Sequence, residues 1–92
     1  MKSKYNLLRQ RIKQVFINLD PPGLIKGGAP DDEYNNEIDL IISRLHECAD
    51  EEKTMDIVFD IFLSSLKESA GIKENYKDAA IEIYRIVKET LS

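Results

Sequence analysis

Apolar residues recur along this chain at helical spacing, and nowhere do they alternate for long enough to make a strand. Between Ser3 and Leu19 the positions Tyr5, Leu8, Ile12, Val15, Phe16 and Leu19 fall on one stripe, which predicts an amphipathic helix. Asp20-Pro21-Pro22-Gly23 ends it, because a residue before proline is pushed out of the α region and Pro22 brings no N–H to the next turn. A second helix is predicted to begin between Asp31 and Asn36. Asp31, Asp32 and Asn35 can each cap it, and Glu33 and Glu37 suit the positive end of its dipole. It runs to Cys48 or Ala49 with Ile38, Ile41, Ile42, Leu45 and Ala49 inward, and Tyr34 joins that stripe if the helix extends back so far.

Asp50 caps a third predicted helix, with Glu51 and Glu52 in its first turn, that continues to about Ser69 and stops at Gly71. Met55, Val58, Phe59, Phe62, Leu63 and Leu66 form its main face, and Ile57 and Ile61 widen the apolar arc, which puts this helix at the centre. The fourth, from Lys73 or Glu74 to Leu91, turns Tyr76, Ala79, Ala80, Ile83, Ile86, Val87 and Leu91 inward. Short links make helices two, three and four antiparallel neighbours. The expected fold is therefore all-α, a single domain over residues 1–92: a compact array of four helices with an ordered Pro/Gly-rich loop between the first two.

That loop, Asp20 to Glu33, holds all three prolines and three of the four glycines, with Leu24 and Ile25 in its middle. Loops of such length are uncommon in small domains unless they are functional or disordered. Fixed proline dihedrals and an apolar pair to bury favour an ordered one.

Composition narrows the class. Hydrophobic and charged contents of 42% and 33% are those of a globular chain rather than a disordered one. No apolar run reaches the roughly 18 residues that span a bilayer, and no signal-peptide core follows Met1 to Lys4. With Cys48 as the only cysteine, no internal disulfide and no Cys pair for a metal exists, so a cytoplasmic protein is expected. The net charge of −4 is unevenly spread. Residues 1–30 carry six basic and one acidic residue, residues 31–56 two basic and ten acidic, and residues 57–92 five basic and six acidic. The acidic middle repels phosphates and favours a cationic partner surface, unless its carboxylates are simply faced by cations on neighbouring helices.

Several chemistries fail on spacing. Counting an EF-hand from Asp31 puts Asn36 and Ile42 where glycine and glutamate belong. The only histidine, His46, and Cys48 point about 200° apart on a helix. Gly27-Gly28 leads into Ala29-Pro30 and acids, with no phosphate-binding Lys-Ser/Thr. The basic first helix, with Lys2, Lys4, Arg9, Arg11 and Lys13, lacks the interleaved aromatics of a nucleic-acid surface. No catalytic residues, cofactor or metal are expected, and no acid, base and nucleophile converge. Ile17 and Leu40 lie opposite their core stripes and Ile81 lies off its own, so apolar side chains are available to a partner.

Asp20-Pro21-Pro22-Gly23-Leu24, then Gly28-Ala29-Pro30-Asp31-Asp32-Glu33-Tyr34-Asn35 and Glu37-Ile38, resembles the YugE-like family of small bacterial helical proteins. That family shares an Asp-Pro-x-Gly-Leu loop, a Gly-Ala-Pro-x-Asp-Glu-Tyr-Asp segment and a following helix with Glu-Ile. The resemblance covers about a third of the chain, from Leu19 to Leu45; Leu19 stands where the family commonly has Trp, and Asn35 where it has Asp. What resembles it also includes immunity proteins encoded beside bacterial toxins, particularly in contact-dependent growth inhibition. The implied function is a non-enzymatic immunity protein that neutralises a cationic, nuclease-type toxin, itself a monomer or weak homodimer with no nucleic acid or membrane partner. Its expected contact residues are Asp31, Asp32, Glu33, Tyr34, Glu37, Asp39 and Leu40: carboxylates to steer, Tyr34 to anchor. The alternative is a structural or regulatory module with no toxin partner, in which the motif from Asp20 to Tyr34 ties the loop onto the helices.

Overall fold

The computed structural model describes residues 2–28, 30 and 33–91, the side chains of residues 2–4 and 91 excepted. Its four helices are α1 (Lys2–Leu19), α2 (Asn35–Ser43), α3 (Glu51–Leu66) and α4 (Lys77–Leu91), with no strand among the described residues. The all-α architecture expected from the periodicity is what the chain adopts. α1 lies against α2 and α4, and α3 lies against the same two, so the four helices close into a ring.

Leu8, Ile12, Val15 and Phe16 carry the α1 stripe into the core, whereas Tyr5 and Leu19 at its ends stay 46% and 43% exposed. The helix stops because Asp20, whose N–H still donates to the Phe16 carbonyl at 2.8 Å, turns left-handed at φ 45° before the two prolines. α2 is shorter than its pattern predicts. Its N-cap is Tyr34, whose side chain makes no cap bond, and after Ser43 the chain tightens into a 3-10 turn at Leu45–Glu47. That tighter winding keeps Leu45 and Cys48 buried and sets Asp50 in extended conformation, where its carboxylate accepts the Lys53 N–H at 2.7 Å.

α3 likewise ends three residues before Ser69. Lys67 turns left-handed at φ 55°, and a 3-10 turn, Lys67–Ala70, leads into Gly71. The Tyr76 hydroxyl pins this turn by donating to the Ala70 carbonyl at 2.6 Å, and both residues are fully buried. The first turn of the fourth helical segment is itself 3-10, Lys73–Tyr76. Ile57 and Ile61 are buried as the wide arc predicts, but Leu63 is 43% exposed.

The middle of the ring is aromatic. Phe62 on α3 meets Phe16 on α1 at 5.1 Å between centroids, Tyr76 at 5.2 Å and Tyr34 at 5.4 Å. Offset and edge-on rings at such distances attract beyond their area burial. Phe62 thus joins α3 to α1 across the ring. Phe62→Ala is expected to cost about 3–5 kcal/mol, whereas Leu63→Ala next to it should stay within about 0.5 kcal/mol. Urea denaturation of the two variants measures this, and equal losses would contradict the α3 register.

Candidate interaction surface and the loop beneath it

Asparagine and aspartate tolerate left-handed backbone because their short side chains bond locally, and Asp20 uses that freedom fully. Its carboxylate accepts the N–H of Ile25 at 3.1 Å and of Lys26 at 2.8 Å, wrapping the loop around itself. It also accepts the Tyr34 hydroxyl at 2.5 Å, and that hydroxyl in turn accepts the Leu24 N–H at 3.2 Å. Backbone turns complete the loop: Gly23 N–H to the Asp20 carbonyl at 2.8 Å, Gly27 to Gly23 at 3.1 Å and Gly28 to Ile25 at 3.0 Å. Gly28 sits at φ 115°, a conformation that side chains rarely adopt.

Tyr34 is therefore core. It is 1% exposed, its ring packs edge-on against Phe16 and Phe62, and only its hydroxyl reaches the loop. Burial, and then the bond to Asp20, push that hydroxyl far above its ordinary pKa, so it stays a proton donor. Burial alone would raise Asp20, but the bonds from Tyr34, Lys26 and Ile25, with the Lys26 charge, hold it below its ordinary 3.8. A carboxylate with three donors, one of them a protonated phenol, forms a clamp.

Glu37 is also not on the surface. α2 starts at Asn35 with Tyr34, Ile38 and Ile41 turned inward, which presses Glu37 against α3 at 4% exposure. One carboxylate oxygen accepts the Ser65 hydroxyl and the other has no hydrogen-bond partner. After burial itself, the Glu37 charge helps push the Tyr76 hydroxyl upward. Of the remaining expected contact residues, Glu33, Asp39 and Leu40 are exposed, Leu40 at 50%, while Asp31 and Asp32 lie outside the described residues. Asp39 is engaged within the fold, accepting from Arg9 of α1 at 2.8 Å. Glu33 has no ion pair among the described residues.

Protein-family models, curated proteins and solved structures were compared with the chain, and none matches. What the surface can do rests on its own geometry. Among the described residues no three His, Cys, Asp or Glu side chains gather to hold a metal, and no helix is long and apolar enough to cross a membrane. His46 projects from the turn after α2 with its side chain 77% exposed, whereas Cys48 is buried and burial pushes its thiol up. The acidic stretch carries a device that its spacing does not reveal: Arg44 donates to both Glu47 oxygens, at 3.0 and 3.1 Å, and to Asp60 at 3.2 Å. This fork ties the end of α2 to α3 and neutralises part of the acidity.

Asp20 contributes stability with a definite pH sense. Its pKa is lower folded than unfolded, so the contribution is complete above about pH 4–5 and lost as pH falls through the folded value. Asp20→Asn should lower the melting temperature at neutral pH and flatten the acid limb of stability below pH 4. Tyr34→Phe should cost about 1–3 kcal/mol, since it strips a donor from a partly buried carboxylate. Thermal melts from pH 2 to 7 read both, and a wild-type acid limb in Asp20→Asn contradicts the clamp.

Proposed function

We propose that this chain is a non-enzymatic binding protein, an immunity protein of the kind its loop motif resembles, acting in the cytoplasm on a cationic toxin domain. The observation that carries this reading is Leu40, half exposed on α2, with Glu33, exposed and without an ion pair among the described residues, at the entrance to the same helix. An apolar side chain beside carboxylates offers a partner something to bury and charges to orient it. Asp31 and Asp32 precede Glu33 in sequence and extend the acidic set. Tyr34 and Glu37 have no part in contact here; they hold the helix that bears it.

A second reading, a structural or regulatory module without a toxin partner, draws support from those same two residues, because the motif's most distinctive side chains are spent inside the fold. The two readings separate on one measurement. Glu33→Lys combined with Leu40→Lys should leave the melting temperature near that of the parent chain. The variant should slow association with a cationic toxin partner about tenfold or more and flatten its salt dependence. Stopped-flow association at several ionic strengths checks this; unchanged rates would remove α2 from the interface.

A further inference from the structure

Leu19 belongs to the inward stripe of α1, yet it is 43% exposed, and Ile81 lies off the α4 stripe and is only half buried. The two meet at one place: a groove of about 570 Å³ between α1 and α4, with Val15 and Ile86 at its base. That volume lies in the range of ligand and peptide sites. Ile81 also lines two further hollows, of about 190 and 530 Å³, formed with the start of α3 and with the outer residues of α4, so it borders all three.

Charge at this face is asymmetric. The arginines beside the groove are already engaged: Arg11 donates to Glu89 at 2.8 Å, and Arg85 pairs with Glu82 and, at 3.3 Å, with Glu89. Glu51, Glu52 and Asp78, which line the same hollows, have no ion pair among the described residues; the other cations there are Lys77, which has none either, and Lys88, whose ammonium lies over the Tyr84 ring. Glu51 and Glu52 stand in the first turn of α3 and Asp78 in that of α4. A helix start supplies only about half a positive charge, so the two carboxylates at α3 exceed what its dipole neutralises. The surface thus combines exposed apolar side chains with carboxylates that outnumber the cations beside them.

We propose that the α1–α4 groove and the α4 face around Ile81 dock an amphipathic, cationic segment of a protein partner, its apolar side chains straddling Ile81 and its lysines or arginines meeting Glu51, Glu52 and Asp78. The proposal rests on the reading above that the partner is a cationic protein, and assigns it a second surface about the ring from Leu40. A nucleic acid would meet the wrong charge.

Titrating the ¹⁵N-labelled chain with a synthetic Leu/Lys amphipathic helix, and separately with its Leu/Glu counterpart, tests this. Saturable shifts centred on Val15, Ile81 and Arg85 with the cationic peptide alone are expected. Ile81→Asp should weaken them at least tenfold, and Glu51→Lys with Glu52→Lys, both at exposed positions, should do so even if Ile81→Asp fails to fold. Absence of saturable binding up to millimolar peptide, equal binding of both peptides, or self-association that covers Ile81 would overturn the proposal. Shifts centred on Leu40 and lost in the Glu33→Lys, Leu40→Lys variant would overturn it while leaving the α2 reading standing.

Discussion

One hydrogen bond, from the Tyr34 hydroxyl to the Asp20 carboxylate, joins the end of α1 to the start of α2, and much of the molecule is arranged around it. On the Asp20 side it closes a carboxylate that already gathers two backbone N–H groups, so the loop of prolines and glycines is wound about a fixed point. On the Tyr34 side it lets a phenol sit wholly inside the core, because its one polar atom is satisfied there. The ring can then complete the aromatic cluster with Phe16 and Phe62. Each half requires the other: without the loop the hydroxyl would be buried unpaired, and without the ring the loop would have little apolar surface to rest on.

Most of the fold is legible in the sequence because its helices are long and amphipathic. Ile12, Val58 and Ile83 fall where a 3.6-residue period puts them, and all three are fully buried. Legibility fails where polar bonds override the period. Nothing in spacing alone decides whether Tyr34 faces the acidic residues or the core; its hydroxyl's reach to Asp20, fourteen residues back and brought near by the αL turn, decides it. Glu37 reads as a solvated first-turn acid that suits the helix dipole, yet α2 packs on α3 with this side chain turned inward onto Ser65. The early ends of α2 and α3 are likewise not written in the period: each helix passes into a 3-10 turn, and Leu45, Cys48 and Ala70 stay in the core through those turns.

Charge shows the same division between what composition announces and what geometry leaves available. The dense acidity of residues 31–56 is partly spent inside the fold: Asp39 on Arg9, Glu47 on Arg44, Asp50 on the α3 N-terminus and Glu37 on Ser65. Exposed pairs of this kind contribute little to stability, about 0–1 kcal/mol each, but they remove charge from what an approaching partner feels. Among the described residues, Glu33, Glu51 and Glu52 of this stretch have no ion pair, nor do Glu68, Glu74 and Asp78 beyond it, so what is left lies on more than one face. The net charge of −4 still acts at longer range, within the roughly 8 Å over which physiological salt permits it.

The clamp and the surface are mechanically linked through α2. At nine residues this helix is too short to hold together alone, since isolated helices below about 12 residues are marginal in water. Its position is dictated by side chains that reach outside it: Tyr34 to Asp20 at its start, Asp39 to Arg9 on one flank, Glu37 to Ser65 on the other, and Arg44 to Asp60 at its end. Leu40 is carried by that same helix and has no tether of its own. Loss of the Asp20 carboxylate would therefore disturb the exposed face of α2 without touching anything a partner touches. A binding defect in an Asp20 variant would consequently mark a displaced surface, and only substitutions at exposed positions such as Glu33 and Leu40 separate contact from support.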